Sequence, residues 1–311
     1  MESEEFAREY RERGESNKPE SVMDELTNET LSDFPVHCSY RTTSFYQPTF
    51  HSHSGFELYL CVQGNGNYVA GERIHALGVG AFIIVKPMAL HQSQPNRNTP
   101  FHRYILAVQR NYLENLYVED RTIRQWLPDP GNDSKHFQLN ARQLLSLQEI
   151  LSQLEWEIKR KQPCYTLIVK SLVLQLFARL GRYQFELGEE QAGTYEQKRL
   201  VENILSYMMD HHQKSLSSEN LCEQFHTSRS HLFRIFKQNT GVSMNEFLVT
   251  YRINMAKDYL QGTELPITEV AASVGFQDIS HFCHTFKRLS GMTPSGYRSA
   301  HKPTSFTIPH G

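Results

Sequence analysis

The chain has 311 residues, which is enough for two domains that each bury a hydrophobic core. Its formal net charge at pH 7 is −2, and Lys and Arg exceed Asp and Glu by only two from residue 195 onward. Bulk charge therefore does not identify a nucleic-acid-binding region. The five cysteines are scattered and have no CxxC spacing, which argues against a disulfide framework or a zinc ribbon and favours a reducing cytoplasm.

Residues 1–20 are charged and polar, without the apolar stretch of a signal peptide, and we expect them to be disordered. The longest apolar candidate runs from Tyr165 to Leu180 and is interrupted by Lys170 and Gln175. A membrane span needs about 18 consecutive apolar residues, so we expect no transmembrane helix and no membrane partner.

Short strands separated by turn residues are predicted from about Pro35 to Val108, within a first domain that we assign to residues 21–137. The pattern indicates an all-β sandwich or barrel. The strand candidates are Phe56 to Val62, Asn67 to Ala70, Gly80 to Val85 and His102 to Val108, with turns at Gly64-Asn65-Gly66 and Ala70-Gly71.

Four polar residues of this region have a spacing typical of ligand sites. His51 and His53 are two positions apart, so on a strand both would face the barrel interior. Glu57 follows, and His91 lies 34 residues after it. Three imidazoles and a carboxylate suit Zn, Fe or Mn. We favour the alternative that His51, His53, Glu57 and His91 contact an effector without a stoichiometric metal or other cofactor.

Two helices are predicted in residues 138–184. Leu144, Leu147, Leu151, Leu154 and Ile158 alternate steps of three and four, the spacing of a coiled-coil seam, and a second, almost wholly apolar helix follows Pro163. One interpretation buries both helices against the barrel. The other, which we favour, makes them a dimerisation segment whose outer face meets a second copy of the chain. Residues 185–194 are polar and contain two glycines, as expected of a linker.

The remaining domain, residues 195–303, contains one helical pattern written twice. The first copy is LCEQFHTSRSHLFRIFKQNTG, from Leu221 to Gly241, and the second is VAASVGFQDISHFCHTFKRLSG, from Val270 to Gly291. The offset between equivalent residues is 49 in the first half of the pattern and 50 in the second half. The extra residue therefore falls in a turn between two short helices, which is the helix-turn-helix pattern.

A longer helix, from Met244 to Leu260, is predicted between the two units because its apolar residues recur at helical spacing. It would hold the units roughly 25 Å apart at about 1.5 Å per residue. That separation suits two recognition helices that enter successive major-groove segments, about 34 Å apart on one face of DNA.

The motif SxxxLxRxFKxxTG, from Ser228, and the segment that begins at Phe276 and ends in FKRLSGMTPSGYR resemble the DNA-binding domain of AraC/XylS-type transcription regulators. Two residues depart from the family pattern. His226 stands where the first turn usually has Gly, and His284 stands where Arg is common. The spacing of the His and Glu residues in the first domain is similar to the cupin motif, and to the sensor domains fused to such regulators.

The resemblance implies which residues contact DNA, and every assignment leaves open that a residue is only part of a solvated helix face. Arg234 can take guanine bidentately, and Phe233 can touch a thymine methyl group. The base-contacting candidates are Ser230, Phe233, Arg234, Ile279, Ser280, Cys283 and His284. The phosphate-contacting candidates are Arg229, Lys237 and Lys287.

The sequence therefore predicts a multidomain regulator with an N-terminal cupin-like all-β barrel, a helical dimerisation pair and a C-terminal all-α tandem helix-turn-helix domain. The resemblance implies a cytoplasmic, homodimeric, effector-responsive activator of a carbon-source operon. It would bind promoter DNA, a small molecule such as a sugar, and RNA polymerase. One alternative is a metal-dependent cupin enzyme fused to a DNA-binding domain, which metal content would reveal. Another is a DNA-binding architectural protein that needs no ligand.

Overall fold

The computed structural model describes residues 25–42, 50–96, 98–119, 127–128, 132–183 and 195–301. The predicted disordered segment, residues 1–20, and the predicted linker, residues 185–194, lie outside these ranges. None of the described helices combines the length and apolar character needed to cross a bilayer.

The N-terminal half contains two antiparallel sheets, as predicted. A five-stranded sheet has the order β1-β7-β2-β5-β8, and a three-stranded sheet has the order β4-β3-β6. The strands are β1 (Val36–Arg41), β2 (Gly55–Gln63), β3 (Gly66–Ala70), β4 (Arg73–Leu77), β5 (Ala81–Val85), β6 (His91–Pro95), β7 (His102–Gln109) and β8 (Ser134–Gln138).

The four strands predicted from sequence are the four central ones, β2, β3, β5 and β7. The four that were not predicted, β1, β4, β6 and β8, all lie at sheet edges. Central strands are covered on both sides and have long apolar runs, whereas an edge strand such as HQSQP in β6 has no such run.

Side chains alternate between the two faces along each strand of the five-stranded sheet, and each face packs in a separate core. On β2, Tyr59 and Cys61 face the three-stranded sheet, whereas Leu58 and Leu60 face the helices on the outer side. These outer helices are α2 (Arg110–Glu119), α3 (Ala141–Arg160) and α4 (Tyr165–Arg182), whereas α1 (Glu25–Asp33) contacts β1 and β7 and its Thr27 lines the cavity inside the barrel. The inner face of the same sheet is left to line the barrel.

The structure favours the intramolecular interpretation of the predicted coiled-coil seam. Leu144, Leu147, Leu151 and Leu154 are buried in one core with β1 and β7, not on an outer face. Leu172 of α4 belongs to the same core and is only 4% exposed. The outer faces of the pair instead present Leu145, Trp156, Leu167 and Ile168 to solvent. The predicted seam is therefore not available to a second subunit, although the outer faces are.

The C-terminal half is all-helical, as predicted. Its helices are α5 (Tyr195–Asp210), α6 (Ser218–Gln224), α7 (Arg229–Thr240), α8 (Met244–Gly262), α9 (Ile267–Ser273), α10 (Ile279–Ser290) and α11 (Pro294–Ala300). Helices α6 and α7 form the first helix-turn-helix unit, and α9 and α10 form the second. The first helices of the two units, α6 and α9, start 49 residues apart, and the second helices, α7 and α10, start 50 residues apart. The additional residue is therefore in the turn of the second unit.

The boundaries of these helices follow from their capping residues. Ser217, Ser228 and Asp278 each accept a backbone hydrogen bond from the residue three positions on, which starts α6, α7 and α10. Gly241 and Gly291 end the recognition helices in the left-handed conformation. The spacer helix α8 begins at a capping box formed by Ser243 and Glu246.

His226 occupies the turn of the first unit with φ at 48°, in the left-handed region that a residue with a Cβ adopts at a cost. Its equivalent in the second unit is Gly275, with φ at 91°. A Cβ at Gly275 would lie only 2.6 Å from the carbonyl oxygen of His212. The second turn therefore requires Gly, while the first tolerates His under strain.

We predict that His226→Gly stabilises the protein by about 1 kcal/mol, because Gly adopts positive φ without the Cβ clash. Glu223→Gly, at an exposed right-handed position of α6, is the matched control and should destabilise by about 0.5 to 1 kcal/mol. Urea denaturation of both variants measures the difference. A loss of stability in His226→Gly similar to that in the control would contradict the strain at this turn.

Candidate DNA-binding surface and sensor site

The recognition helices α7 and α10 each have a buried face and an exposed face. The inward-facing residues are buried in the domain core, and they are Leu232, Ile235, Phe236, Phe282 and Phe286. Of the predicted base-contacting residues, Ser230, Arg234, Ile279, Ser280 and His284 are exposed, and Phe233 and Cys283 are half-buried. The predicted phosphate-contacting residues Arg229, Lys237 and Lys287 are also exposed. All of them are therefore on the faces that a duplex could reach.

Arg234 is held along the surface of α7 by its neighbours. Its Nη1 donates to Oε1 of Gln238 at 3.0 Å, and its Nη2 lies 3.1 Å from Nδ1 of His231. These exposed contacts are weak enough to be exchanged for a guanine edge. Arg229 lies over the Phe233 ring at 5.6 Å, which explains why that ring is half-buried.

Two exposed positions on the same faces were not selected from the sequence. Gln238 follows Arg234 by four residues, and Arg288 follows His284 by four residues. Residues four apart lie on one side of a helix, so this spacing could have identified both. Arg288 supplies a positive charge on α10 near His284, where the family pattern usually has Arg.

The four residues of the predicted sensor site come together inside the barrel. Nε2 of His53 is 3.1 Å from Oε2 of Glu57, and Nε2 of His91 is 3.5 Å from the same oxygen. His51 forms a β-bridge with His91, and their rings are 4.1 Å apart. All four residues are at most 5% exposed. We name them the His/Glu cluster.

Glu57 is an ionised carboxylate in this cluster. Burial alone would raise the pKa of Glu57, but the charge of His91 and hydrogen bonds from His53 and His91 hold that pKa well below its usual range. Nδ1 of His53 faces the carbonyl oxygen of Gly55 at 3.0 Å, so both ring nitrogens of His53 face acceptors.

Three further side chains line this site and were not predicted. Tyr68 donates from its hydroxyl to Oε1 of Glu57 at 2.6 Å, and Tyr59 and Arg103 are buried beside it. The sequence could have predicted Tyr59, because Glu57 and Tyr59 are two positions apart on β2 and side chains at that spacing face the same side of a sheet. The cavity that they share has a volume of about 20 Å³, which is room for roughly one water molecule.

The cluster also offers a possible metal-binding geometry. His51, Glu57 and His91 each present one ligand atom, and these atoms lie within 4.8 Å of one another. Two imidazoles and a carboxylate suit a divalent transition metal. Nδ1 of His91 faces the carbonyl oxygen of Ala89 at 2.9 Å, which would leave Nε2 directed at a ligand.

The residue between the two histidines connects the sensor domain to the DNA-binding domain. Ser52 faces away from the barrel, and its hydroxyl donates to Oδ1 of Asn254 in α8 at 2.5 Å. Nδ2 of Asn254 donates to the carbonyl oxygen of Met88 at 2.8 Å, and the amide of Met88 donates to the carbonyl oxygen of His53 at 2.8 Å. We name this chain of bonds the Ser52–Asn254 link.

Apolar contacts surround the link. Phe50 packs edge-on against Phe247 of α8, with ring centroids 5.3 Å apart. Phe50, Val69, Ile74 and Leu90 of the sensor domain belong to the same buried cluster as the core of the DNA-binding domain. The described parts of the two halves therefore share a packed interface beside the His/Glu cluster.

Comparison with known families agrees with this division. An AraC-like ligand binding domain matches residues 36–177, which span the sheets, α3 and most of α4. A helix-turn-helix domain matches residues 221–300, which contain both units and α8.

Two curated relatives are similar over most of this chain, and one solved structure is similar to its C-terminal part. The HTH-type transcriptional activator RhaR of Enterobacter sp. (strain 638) is 28% identical over 256 residues, covering 80% of this chain and 86% of that protein. The uncharacterized HTH-type transcriptional regulator YfiF of Bacillus subtilis (strain 168) is 27% identical over 286 residues, covering 88% and 86%. The C-terminal domain of AraT, a response regulator from Geobacillus stearothermophilus, is 31% identical over 37% of this chain and 96% of that one, with a TM-score of 0.35.

The exposed recognition helices and the matched domains define a DNA-binding transcription regulator with a ligand-binding domain. The chain belongs to the AraC-type family of such regulators, as its motifs indicated.

We predict that Arg234→Ala weakens binding to the cognate site by about 1 to 3 kcal/mol and relaxes preference at one base pair. Lys237→Ala, three residues further on the same exposed helix, should weaken cognate and random DNA alike. Fluorescence anisotropy titrations with both DNAs separate the two effects. An equal loss on cognate and random DNA for Arg234→Ala would show that Arg234 does not read a base.

Proposed function

We propose that this regulator activates a promoter for carbon-source use when a small polar effector engages the His/Glu cluster of its sensor domain. Several relatives of similar length are described as transcriptional activators, which supports activation. The buried polar side chains inside an otherwise apolar barrel support a polar effector, with sugars as one class.

The effector must open the sensor site as it binds. A volume of about 20 Å³ accepts one water-sized group, far less than a sugar occupies. Entry of a hydroxyl group at Glu57 would break the bond from His53 or Tyr68 and shift the segment that carries His51 and His53. This coupling between ligand and conformation is the property that a sensor requires.

The Ser52–Asn254 link is the observation that best supports control of DNA binding by this site. Ser52 lies between two histidines of the cluster, so a movement of either one displaces the donor to Asn254. Asn254 sits in the middle of the helix between the two DNA-binding units. Effector binding would then alter α8, and through it the relative placement of α7 and α10.

A metal-dependent cupin enzyme is the second candidate, because His51, Glu57 and His91 have a geometry that could hold a metal. We propose that the cluster acts without stoichiometric metal. Elemental analysis of protein purified without chelator or affinity tag distinguishes the two. About one zinc, iron or manganese per chain would favour the metal centre.

We further propose that the regulator is a cytoplasmic homodimer that recruits RNA polymerase at its promoter. The exposed apolar residues of the outer helical pair support dimerisation, since Leu167 is 67% exposed and Ile168 lies beside it on α4.

To test the sensor link, Ser52→Ala should abolish the response of a promoter reporter to its inducing carbon source, because the bond to Asn254 is lost. Binding to the cognate DNA without effector should remain within about twofold. Ser54→Ala is the matched control, because Ser54 instead bonds Asn28 of α1, and it should keep full induction. The inducing carbon source is found by growing the reporter strain on a panel of sugars and organic acids. Wild-type induction in Ser52→Ala would refute the link.

To test the dimer, Leu167→Glu should yield folded monomers and weaken binding to a two-half-site operator by about 100-fold or more, because effective concentration is lost. Val79→Glu removes another exposed apolar side chain, in the turn between β4 and β5, and should remain dimeric. Sedimentation velocity and DNA titration give both quantities. An unchanged dimer in Leu167→Glu would exclude the outer face of α4 as the contact.

A further inference from the structure

A second and much larger cavity lies between the sensor domain and the DNA-binding domain. It has a volume of about 340 Å³, within the range of small-molecule sites, whereas the His/Glu cluster encloses about 20 Å³. The sensor side is formed by β4, β8 and Asn132, and the other side by the first turns of α5. We name it the seam cavity.

Its lining is rich in positive charge. Arg73 of β4 approaches from the sensor domain, and Lys198 and Arg199 of α5 approach from the other side. Glu202 is the only acidic residue among the described lining residues, and its Oε1 accepts a hydrogen bond from the amide of Ile74 at 2.9 Å. The permanently charged groups of the lining therefore sum to a positive charge, although the chain as a whole is slightly acidic. Outside the lining, Oε1 of Glu72 lies 4.0 Å from Nε of Arg73.

Neutral donors complete the lining. Nε2 of His75 is 2.8 Å from the hydroxyl of Ser134, and the rings of His75 and His136 lie 5.3 Å apart. Burial is the main cause that lowers the pKa of His75 to about 3, and nearby His136, Lys198 and Arg73 contribute in the same direction. The site thus already opposes another cation, which is the electrostatic condition that favours an anion.

The position of the cavity gives an anion a structural role. The hydrogen bond from the amide of Ile74 to Glu202 already crosses this part of the interface. An anion that contacts Arg73 and Lys198 together would join β4 to α5, because the two residues line the same cavity from opposite domains. Any ligand that requires both domains in contact stabilises that contact by its own binding free energy.

We propose that the seam cavity binds a small metabolite with carboxylate or phosphate groups, and that this anion locks the sensor domain onto the DNA-binding domain. It is a site separate from the His/Glu cluster. A regulator with both sites would combine two signals, one read inside the barrel and one read at the interface.

The test uses the full-length protein in a buffer free of phosphate and carboxylate, with sodium chloride holding ionic strength constant. Citrate and inorganic phosphate are each titrated by isothermal calorimetry, and thermal unfolding is followed in parallel. We expect saturable binding of one of the two, with a dissociation constant of about 1 mM or lower, and a rise of the unfolding midpoint with its concentration. The probe that binds more tightly identifies carboxylate or phosphate as the preferred group.

The double substitution of Arg73→Gln and Lys198→Gln should weaken that binding by at least about tenfold, because two charge-assisted contacts are lost. Arg142→Gln removes one exposed positive charge from α3, away from the cavity, and should bind like wild type. The absence of saturable binding in wild type, or an equal loss in Arg142→Gln, would overturn the proposal.

A DNA titration of the same variants separates this proposal from the function proposed above. Arg73→Gln with Lys198→Gln should bind cognate DNA like wild type when no anion is added, because neither residue is on a recognition helix. If the double variant instead loses DNA affinity and wild type binds no anion, these cations are duplex contacts and the proposal fails. The proposed regulation through the His/Glu cluster would stand in either case.

Discussion

The packing of helix α8 is the constraint on which the rest of the structure depends. It contacts α7 of the first DNA-binding unit and α9, α10 and α11 around the second, as well as α5. At about 1.5 Å per residue its 19 residues span roughly 28 Å, which fixes the separation of the two recognition helices. Its buried residues Phe247 and Ile253 belong to a core that also includes Phe50 and Leu90 of the sensor domain. A single helix thus touches every part that the proposed regulation must connect.

The segment from His51 to His53 provides the other half of that connection. His51 and His53 belong to the buried His/Glu cluster, whereas Ser52 between them donates a hydrogen bond to Asn254 of α8. The residues of the cluster inside the barrel and the contact of Ser52 with α8 outside it are therefore adjacent along one short segment. The hydrogen bonds involved are buried, so loss of one partner leaves an unsatisfied polar group and costs more than an exposed bond would. In the proposed regulation, a small displacement at the cluster would therefore change the interface.

The sequence identified those features that depend on short, periodic patterns. Both helix-turn-helix units and the central strands follow from local spacing, and so does the buried position of His51 and His53. Tertiary packing determines the contacts of apolar helix faces, which the sequence left open. Leu172 has the same apolar character whether it faces a sheet or a second subunit, and only the fold shows that it packs in its own core. The seam cavity could not be predicted, because Arg73 and Lys198 are distant in sequence and each is unremarkable alone.

The central claim is that α8 presents both recognition helices to one face of a DNA duplex. Hydroxyl-radical footprinting of the full-length protein on genomic fragments that it selects tests this most directly. The account predicts two protected segments for each subunit, about one helical turn apart on the same face of the DNA. Protection of a single segment per subunit, or of two segments on opposite faces, would contradict it.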